Sequence, residues 1–407
     1  MDGNKSNPRC QTTKASGIMD VRGHPNGRKD DGPGESVIRL MTRLSAQHGA
    51  INLSQGFPNE SPPLAVRIAL ARGVLTGLAD SEGAYEPRGQ GEEESAETHS
   101  DSVEDAVRSV LRSEPSWRDK GEDGEATIDI LNQYSPPMGR PDLRQALSDH
   151  YERMYSYHVD PECITVTLGA TEAVASALRT VGRPGDRIAV FEPFHELYPS
   201  QCRIFWMQPD YVTLREKEGI RGGAWTFDPD ELEDVISGRR SGGQIAKALL
   251  LNSPHNPTGK VFSLDELRLI VDTCEKYGTY IITDEIYEHM TYGPHRGGHV
   301  ILPKAFPYIA DRTFICNSMG KSASATGWRL GWCLHPPQFT SLYRGIHDQM
   351  VVMSPHPMQY AALTYLRLPE SYFRETLAER YLGRVRTLAN ALKKVGFGVS
   401  EPEGAYY

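Results

Sequence analysis

From about residue 160 onward, short apolar segments with strand patterns alternate with helical patterns, and this alternation constrains the fold more than any other feature. The predicted helices include 172–181 and one that opens with the capping box of Ser263 and Glu266, with Leu264, Leu267, Val271 and Cys274 on one face. The predicted strands are 164–168, 187–191, 247–251, 280–283 and 313–317. Strands that alternate with helices indicate a parallel α/β sheet, in which ligands bind beyond the carboxyl ends of the strands.

The overall composition bounds the function classes. The chain has 407 residues and a formal net charge of -9, and residues 80–125 alone hold 15 Asp/Glu against five Lys/Arg. The acidity therefore belongs to one segment and points to neither nucleic acid nor an acidic substrate. No apolar run approaches the ~20 residues of a membrane span, and no secretory or mitochondrial signal is visible, so we expect a cytoplasmic protein that binds no membrane. The six scattered cysteines suggest reduced thiols, and the histidines show no metal-ligand spacing.

Five regions follow from the composition along the chain. We predict a disordered tail over 1–35, an N-terminal segment of a small domain over 36–75 that begins with a helix near Val37, and an acidic low-complexity insertion over 76–125 with one short helix at 102–112. A large domain over 126–335 and an interdomain helix with an incomplete small domain over 336–407 complete the division.

Lys321 is the central candidate for chemistry. It follows a predicted strand within Ser-Met-Gly-Lys-Ser-Ala-Ser-Ala-Thr-Gly-Trp-Arg, with small neighbours that leave room for a ligand and with Arg329 placed to bind an anion. This is the layout of a lysine that forms a Schiff base with pyridoxal phosphate (PLP). A P-loop is excluded because Ile315 stands where the first glycine must be. Taken alone, the segment also fits a surface lysine after a strand.

Other polar residues follow predicted strands at the same sheet edge. Asp284 can pair with a protonated pyridine nitrogen, or it can simply cap a helix. Tyr287 can hydrogen-bond a phenolic oxygen of the same ring, as can Asn256, which otherwise reads as a turn residue. The amides of Ala170 and Thr171 open a helix and can hold a phosphate, although every strand–helix junction offers some free amides.

Six motifs in order resemble the class I/II PLP-dependent aminotransferases of fold type I, in the branch with kynurenine and glutamine aminotransferases. The resemblance runs from about residue 51 to residue 407. The motifs are Ile51-Asn-Leu-Ser-Gln-Gly-Phe-Pro58, Asn132-Gln-Tyr-Ser with Gly139-Arg-Pro-Asp, Glu192-Pro-Phe, Asn252-Ser-Pro-His-Asn-Pro-Thr-Gly-Lys, Thr283-Asp-Glu-Ile-Tyr and Ser318–Trp332. The implied fold is a large domain with a mainly parallel seven-stranded sheet between helices, beside a smaller α/β domain.

The resemblance implies a role for each matched position. Lys321 is the implied catalytic lysine, which forms the Schiff base and then shuttles a proton, while Gly56 and Asn256 contact the substrate. Tyr134 is implied to enter the active site of a partner subunit, which makes the protein a homodimer with shared sites. The implied cofactor-binding residues are Ala170, Thr171, His195, Asn256, Asp284, Tyr287, Ser318, Lys321, Arg329 and Tyr134.

Three departures from the family pattern stand out. His195 occupies the position of the aromatic ring that stacks on the cofactor, where a structural histidine is the alternative. The acidic insertion reads as a solvated loop or as a partner-binding segment. The sequence stops at Glu403-Gly-Ala-Tyr-Tyr407, where relatives continue to an arginine that clamps the substrate carboxylate. We therefore expect either an incomplete chain or an impaired product.

The function implied by the resemblance is PLP-dependent transamination between a 2-oxo acid and an aromatic, sulfur-containing or glutamine-like amino acid. One alternative keeps the cofactor and makes the protein a cysteine-conjugate β-lyase or a ring-forming synthase. A second alternative is a catalytically impaired PLP-fold protein whose insertion binds a partner.

Overall fold

In a computed structural model of the chain, residues 37–54, 56, 58, 60–76, 131–216 and 224–407 are described. The strands are β1 (Ile164–Thr167), β2 (Arg187–Glu192), β3 (Gln208–Thr213), β4 (Arg215–Glu216), β5 (Trp225–Thr226), β6 (Ala248–Asn252), β7 (Tyr280–Asp284), β8 (Thr313–Ser318) and β9 (Gly331–Leu334). The α-helices are α1 (Val37–His48), α2 (Leu64–Thr76), α3 (Pro141–Tyr155), α4 (Gly169–Val181), α5 (Leu197–Ile204), α6 (Pro229–Ile236), α7 (Leu264–Tyr277), α8 (Leu302–Ala305), α9 (Met319–Ser322), α10 (Thr340–Val351), α11 (His356–Leu366) and α12 (Leu377–Lys394).

Seven of these strands form one sheet in the order β1-β9-β8-β7-β6-β2-β3. Only β9 runs antiparallel to its neighbours, β1 and β8, whereas β8, β7, β6, β2 and β3 pair in parallel. The prediction of a mainly parallel seven-stranded sheet is confirmed. All residues of β6 and β8 are buried, as expected for strands covered on both faces.

Alternate residues of the central strands divide between two apolar cores. Leu249 and Leu251 of β6 pack with Leu267 and Ile270 of α7 on one face. Leu250 of the same strand packs on the other face, in a core with Leu178 of α4 and Phe314 of β8. Successive apolar side chains of each strand therefore point to opposite faces of the sheet, and a layer of helices covers each face.

The structure confirms several helix ends that the sequence predicts. Helix α7 begins with the predicted capping box, in which Ser263 Oγ accepts from the amide of Glu266 and Glu266 Oε2 accepts from the amide of Ser263. It ends at Gly278, whose φ of +70° suits a left-handed cap. The predicted helix near Val37 is also present as α1.

Two strands of the seven-stranded sheet escaped the sequence patterns. Strand β3 lies at the sheet edge and is only partly buried, so its apolar pattern is weak. Strand β9 is buried but short, and its Gly-Trp-Cys-Leu sequence directly follows the lysine segment. The predicted tail, the acidic insertion and the helix at 102–112 lie outside the described residues, and the division into domains stays a prediction. Within the part of the chain that the structure describes, no helix has the length and apolar character needed to cross a bilayer.

Candidate active site

The site lies at the carboxyl edge of the parallel sheet, where β6 and β7 end side by side. Asn252 and Asp284 are register partners, and Asn252 Nδ2 donates to the Asp284 carbonyl at 2.8 Å. Asn252 Oδ1 accepts from the amide of Asn256 at 2.7 Å. One asparagine side chain therefore ties the loop of Asn256 to the end of β7.

Asp284 is a buried carboxyl group without an ion-pair partner within 4.0 Å among the described residues. Its side chain accepts from Tyr198 Oη at 2.8 Å and from the amide of Ile286 at 3.5 Å. Burial raises the pKa of Asp284 to about 6, although these two hydrogen bonds and the charge of Lys321 oppose the shift. A buried carboxylate that lacks a cation suits a ligand that brings one.

Lys321 lies on the single turn of α9, directly after β8. Its Nζ atom is 3.5 Å from the Gly56 carbonyl oxygen and 5.7 Å from the centre of the Tyr287 ring. Burial lowers the pKa of Lys321 to about 8, with Asp284 opposing the shift and Arg329 adding to it. A partly desolvated amine of this kind is closer to its nucleophilic, neutral form at physiological pH than a surface lysine is.

Three tyrosines form an aromatic wall around this amine. Tyr287 Oη and Tyr407 Oη are 3.3 Å apart, and the ring of Tyr406 meets that of Tyr287 edge-on at 5.3 Å. Lys321 Nζ lies 5.6 Å from the centre of the Tyr406 ring. Burial, with added effects of Tyr407 and Tyr406, raises the pKa of Tyr287 well above its usual range, so its hydroxyl is a neutral donor.

A tight cradle forms where α4 begins. Arg329 Nη2 donates to Thr171 Oγ1 at 3.3 Å, and the guanidinium packs so closely on Gly169 that a Cβ there would be 2.6 Å from Nη2. A Cβ on Gly331 would lie 2.8 Å from the Ala170 nitrogen. Helix-opening amides and an arginine thus share a small space, which is the chemistry of a phosphate site.

Three other predicted site residues, His195, Ser318 and Tyr134, lie in different surroundings. His195 Nδ1 accepts from the amide of Leu197 at 3.1 Å; burial lowers the pKa of His195, and the charge of Lys321 lowers it further. Ser318 ends β8, and its hydroxyl does not cap α9. Tyr134 stands apart from these contacts, with 81% of its side chain exposed.

Tyr198, Asn252 and Tyr407 belong to the site although sequence reasoning gave them no role in it. Asn252 begins one of the six family motifs, so its position directly after a predicted strand could have indicated a role in the site. Tyr198 sits on α5 without a motif of its own, and only the packing of α5 against the sheet brings its hydroxyl to Asp284. Tyr407 reaches the site because the amide of Ala405 donates to the Met290 carbonyl at 2.8 Å.

Comparison with known proteins identifies the family. The class I and II aminotransferase profile matches residues 101–407. Kynurenine–oxoglutarate transaminase 3 of Rattus norvegicus is 30% identical over 394 residues, which cover 94% of this chain and 73% of the rat protein. The chain belongs to the class I and II aminotransferases.

Solved aminotransferase structures share the fold. N-succinyldiaminopimelate aminotransferase from Mycobacterium tuberculosis superposes with a TM-score of 0.70 at 28% identity, covering 91% of this chain and 79% of that one. YbdL from Escherichia coli, which has an identified methionine aminotransferase function, gives a TM-score of 0.70 at 25% identity, covering 94% of this chain and 83% of the YbdL chain. This aminotransferase is therefore a PLP-dependent enzyme of fold type I that acts on amino acids and 2-oxo acids.

The residues at the sheet edge fit PLP. A buried carboxyl group without an ion-pair partner suits the ring nitrogen, a lysine with a lowered pKa suits the aldehyde, and the cradle at Gly169 suits the phosphate. The predicted family, fold, cofactor and transamination are confirmed, and nothing favours the lyase, synthase or impaired-protein alternatives. The roles of the individual residues stay predictions.

Proposed function

We propose that this aminotransferase holds PLP between Lys321 and Asp284, with the phosphate at the opening of α4. The buried amine of Lys321, coupled electrostatically to the buried carboxylate of Asp284, carries this assignment. When bound, PLP supplies an aldehyde that exchanges amines and a ring that withdraws electrons from the substrate Cα.

Each end of the cofactor has its own set of protein groups. Asp284 keeps the ring nitrogen protonated, because a carboxylate in a buried site favours the cation beside it. Tyr287 and Asn256 would donate to the phenolic oxygen, and His195 would lie against the ring. Arg329, Ser318 and the amides of Ala170 and Thr171 bind the phosphate, where a charge-assisted hydrogen bond is about twice as strong as a neutral one.

Lys321 then acts as the acid–base group of the reaction. Its Nζ atom would take up the proton from the substrate Cα and later give it back, for which a pKa of about 8 is well matched. The Gly56 carbonyl, 3.5 Å from Nζ, keeps the amine at this position while the substrate is bound. Gly56 also contacts the substrate carboxylate through its backbone.

The test is the lysine itself. Borohydride reduction of the PLP-loaded protein, followed by peptide mass spectrometry, should place the pyridoxyl group on Lys321. The Lys321→Ala variant should lose both this mass and transaminase activity, whereas Lys276→Ala, at an exposed lysine on α7, should keep both. A Lys321→Ala variant that transaminates at the normal rate would contradict the proposal.

For the amino donor, we propose an aromatic, sulfur-containing or glutamine-like amino acid. The wall of Tyr287, Tyr406 and Tyr407 supports an apolar or aromatic side chain next to Lys321. Relatives named for kynurenine and for methionine support the same classes. A panel of donors with 2-oxoglutarate or pyruvate should give the highest kcat/KM for these amino acids, and a clear preference for aspartate would contradict the assignment.

We further propose a homodimer in which Tyr134 enters the partner's active site. The exposure of Tyr134, at 81%, supports this role because it leaves the ring available to a partner subunit. Mixing Lys321→Ala with Tyr134→Ala chains should restore activity at about a quarter of the sites by random association. A mixture as inactive as the two separate variants would contradict the shared site.

A further inference from the structure

A second group of chemically active side chains lies next to the cofactor carboxylate and has no role in the proposed function. It consists of Glu285, Glu288 and His289, which follow β7, together with His150 of α3 and His299 from a loop. The side chains of Glu285, Glu288, His289 and His299 are 3 to 5% exposed. Carboxylates and imidazoles are the side chains with which proteins bind divalent transition metals.

Each glutamate has one oxygen fixed by a hydroxyl group and the other directed at an imidazole. Thr283 Oγ1 donates to Glu285 Oε1 at 2.8 Å, and Glu285 Oε2 is 2.8 Å from His299 Nε2. Tyr155 Oη donates to Glu288 Oε2 at 2.7 Å, and Glu288 Oε1 is 3.2 Å from His289 Nε2. Outer hydrogen bonds that orient carboxylates in this way accompany metal ligands in proteins.

A void of about 10 Å³ is lined by Glu288, His289 and His299 of this group, whereas Glu285 and His150 do not line it. That volume holds one water or one ion. His289 Nε2 is buried and makes no hydrogen bond within the described residues, although it faces Glu288. A buried polar nitrogen left without a hydrogen bond costs free energy, and a ligand in the void would recover it.

The charges at the void also favour a cation. Arg374 borders the void, but its guanidinium donates to the Met154 carbonyl at 2.7 Å and to Glu370 at 2.9 Å. The two glutamates therefore have no ion pair with an arginine or a lysine among the described residues.

We propose that this group of side chains binds one divalent transition-metal ion, such as Zn²⁺, with Glu285, Glu288 and His299 as ligands and His289 completing the coordination. The donor atoms of the first three lie within 4.8 Å of one another. Neighbouring ligands of tetrahedral zinc are about 3.4 Å apart, so small side-chain rotations are enough to form the site. Two carboxylates and two neutral imidazoles neutralise the ion.

The metal would fix the segment that carries two cofactor contacts. Glu285 directly follows Asp284, and Glu288 directly follows Tyr287. Coordination of both glutamates would therefore restrain the backbone of residues 284–288, which includes both proposed cofactor contacts. Sequence spacing gave no sign of the cluster, because residues 150 and 299 come from segments separate from the stretch 285–289. The expected effect is a higher melting temperature of the metal-loaded protein.

The experiment measures metal binding directly on the full-length, PLP-loaded protein. After removal of metal with a chelator, the wild-type protein should take up one zinc ion per chain by elemental analysis, and cobalt should give a visible absorption band typical of tetrahedral coordination. Glu288→Gln and His299→Gln should lose this uptake, and Tyr155→Phe should weaken zinc binding about 10-fold. His158→Gln, at an exposed histidine outside the cluster, is the matched control and should bind zinc normally.

Two results would overturn the proposal. One is a wild-type protein that takes up neither zinc nor cobalt, which means that the void holds water only. The other is uptake by both Glu288→Gln and His299→Gln at the wild-type level. Metal content is measured separately from cofactor absorbance. A protein that binds no metal would therefore leave the proposed PLP chemistry intact, and a failure of the PLP chemistry would leave the metal measurement interpretable.

Discussion

The hydroxyl group of Tyr198 donates a 2.8 Å hydrogen bond to Asp284 Oδ2, across 86 residues of sequence. Both side chains are buried, with 3% of each residue exposed. Because Asp284 has no ion-pair partner within the described residues, this hydroxyl is a main support of its ionised form. In the proposed site, the tyrosine would thus act on the cofactor through the carboxylate.

Replacing Tyr198 by phenylalanine tests this support. A hydrogen bond to a charged group contributes about 1.5–3 kcal/mol, so Tyr198→Phe should weaken PLP binding by about 10- to 100-fold. The measurement is the Kd for PLP by titration of the cofactor-free protein near neutral pH. Tyr211→Phe, at a partly buried tyrosine stacked on Phe194, is the control and should bind PLP as the wild type does. Equal affinities for the two variants would contradict the role of Tyr198.

Asp284→Asn should have opposite effects on the empty and the loaded protein. Burial raises the pKa of Asp284 to about 6, so above that pH the folded, cofactor-free protein carries a destabilising buried charge. This destabilisation sets in as the pH rises from the unfolded pKa of 3.8 through about 6. The variant should therefore raise the free energy of unfolding by up to about 3 kcal/mol at neutral pH.

Thermal or denaturant unfolding of the cofactor-free proteins at several pH values checks this prediction. The gain from Asp284→Asn should shrink as the pH falls below about 6, where the wild-type carboxyl group is protonated. The same variant should bind PLP poorly, because an amide does not hold the ring nitrogen protonated. A loss of stability at neutral pH in the cofactor-free state would count against the buried charge.

The pH dependence of cofactor attachment reports on Lys321. Only the neutral amine attacks an aldehyde, and burial lowers the pKa of Lys321 to about 8 from a usual 10.5. The rate of covalent PLP attachment should therefore rise with pH up to about 8 and then level off. Stopped-flow absorbance of the cofactor-free protein gives this profile, and a midpoint near 10.5 would show that the amine is exposed to water.

Gly331→Ala should damage the phosphate cradle. A Cβ at this position would lie 2.6 Å from the Gly169 carbonyl carbon and 2.7 Å from the Asn317 carbonyl oxygen, both of which are backbone atoms. Overpacking of this kind costs about 1–3 kcal/mol, and the displaced amide of Ala170 should weaken PLP binding. Gly327→Ala is the control, since no atom lies within 4 Å of a Cβ there. Matching melting temperatures for the two variants would refute the tight packing.

Much of the fold was predictable because its central strands carry simple signals. Strands β6 and β7 are short apolar runs that end in polar residues, so the parallel sheet and a polar site at its carboxyl edge follow from pattern alone. The capping box at Ser263 marked the start of α7 to the residue. Lys321 was recognisable from its small neighbours and its position after a strand.

What escaped prediction depends on packing between distant segments. Nothing near Tyr198 in the sequence says that its hydroxyl will meet a carboxylate, because the direction of a helical side chain is set by how the helix packs on the sheet. Tyr407 reaches Tyr287 only because residues 403–405 pair with the stretch after β7.

The 3.5 Å approach of Lys321 to Gly56 joins residues that are 265 positions apart, and the contact of Tyr287 with Tyr407 spans another 120. Retention of the coenzyme should consequently depend on the correct packing of segments that are far apart in the sequence. A substitution far from the sheet edge that loosens any of these segments should first appear as bleaching of the yellow protein, before any loss of helical circular dichroism.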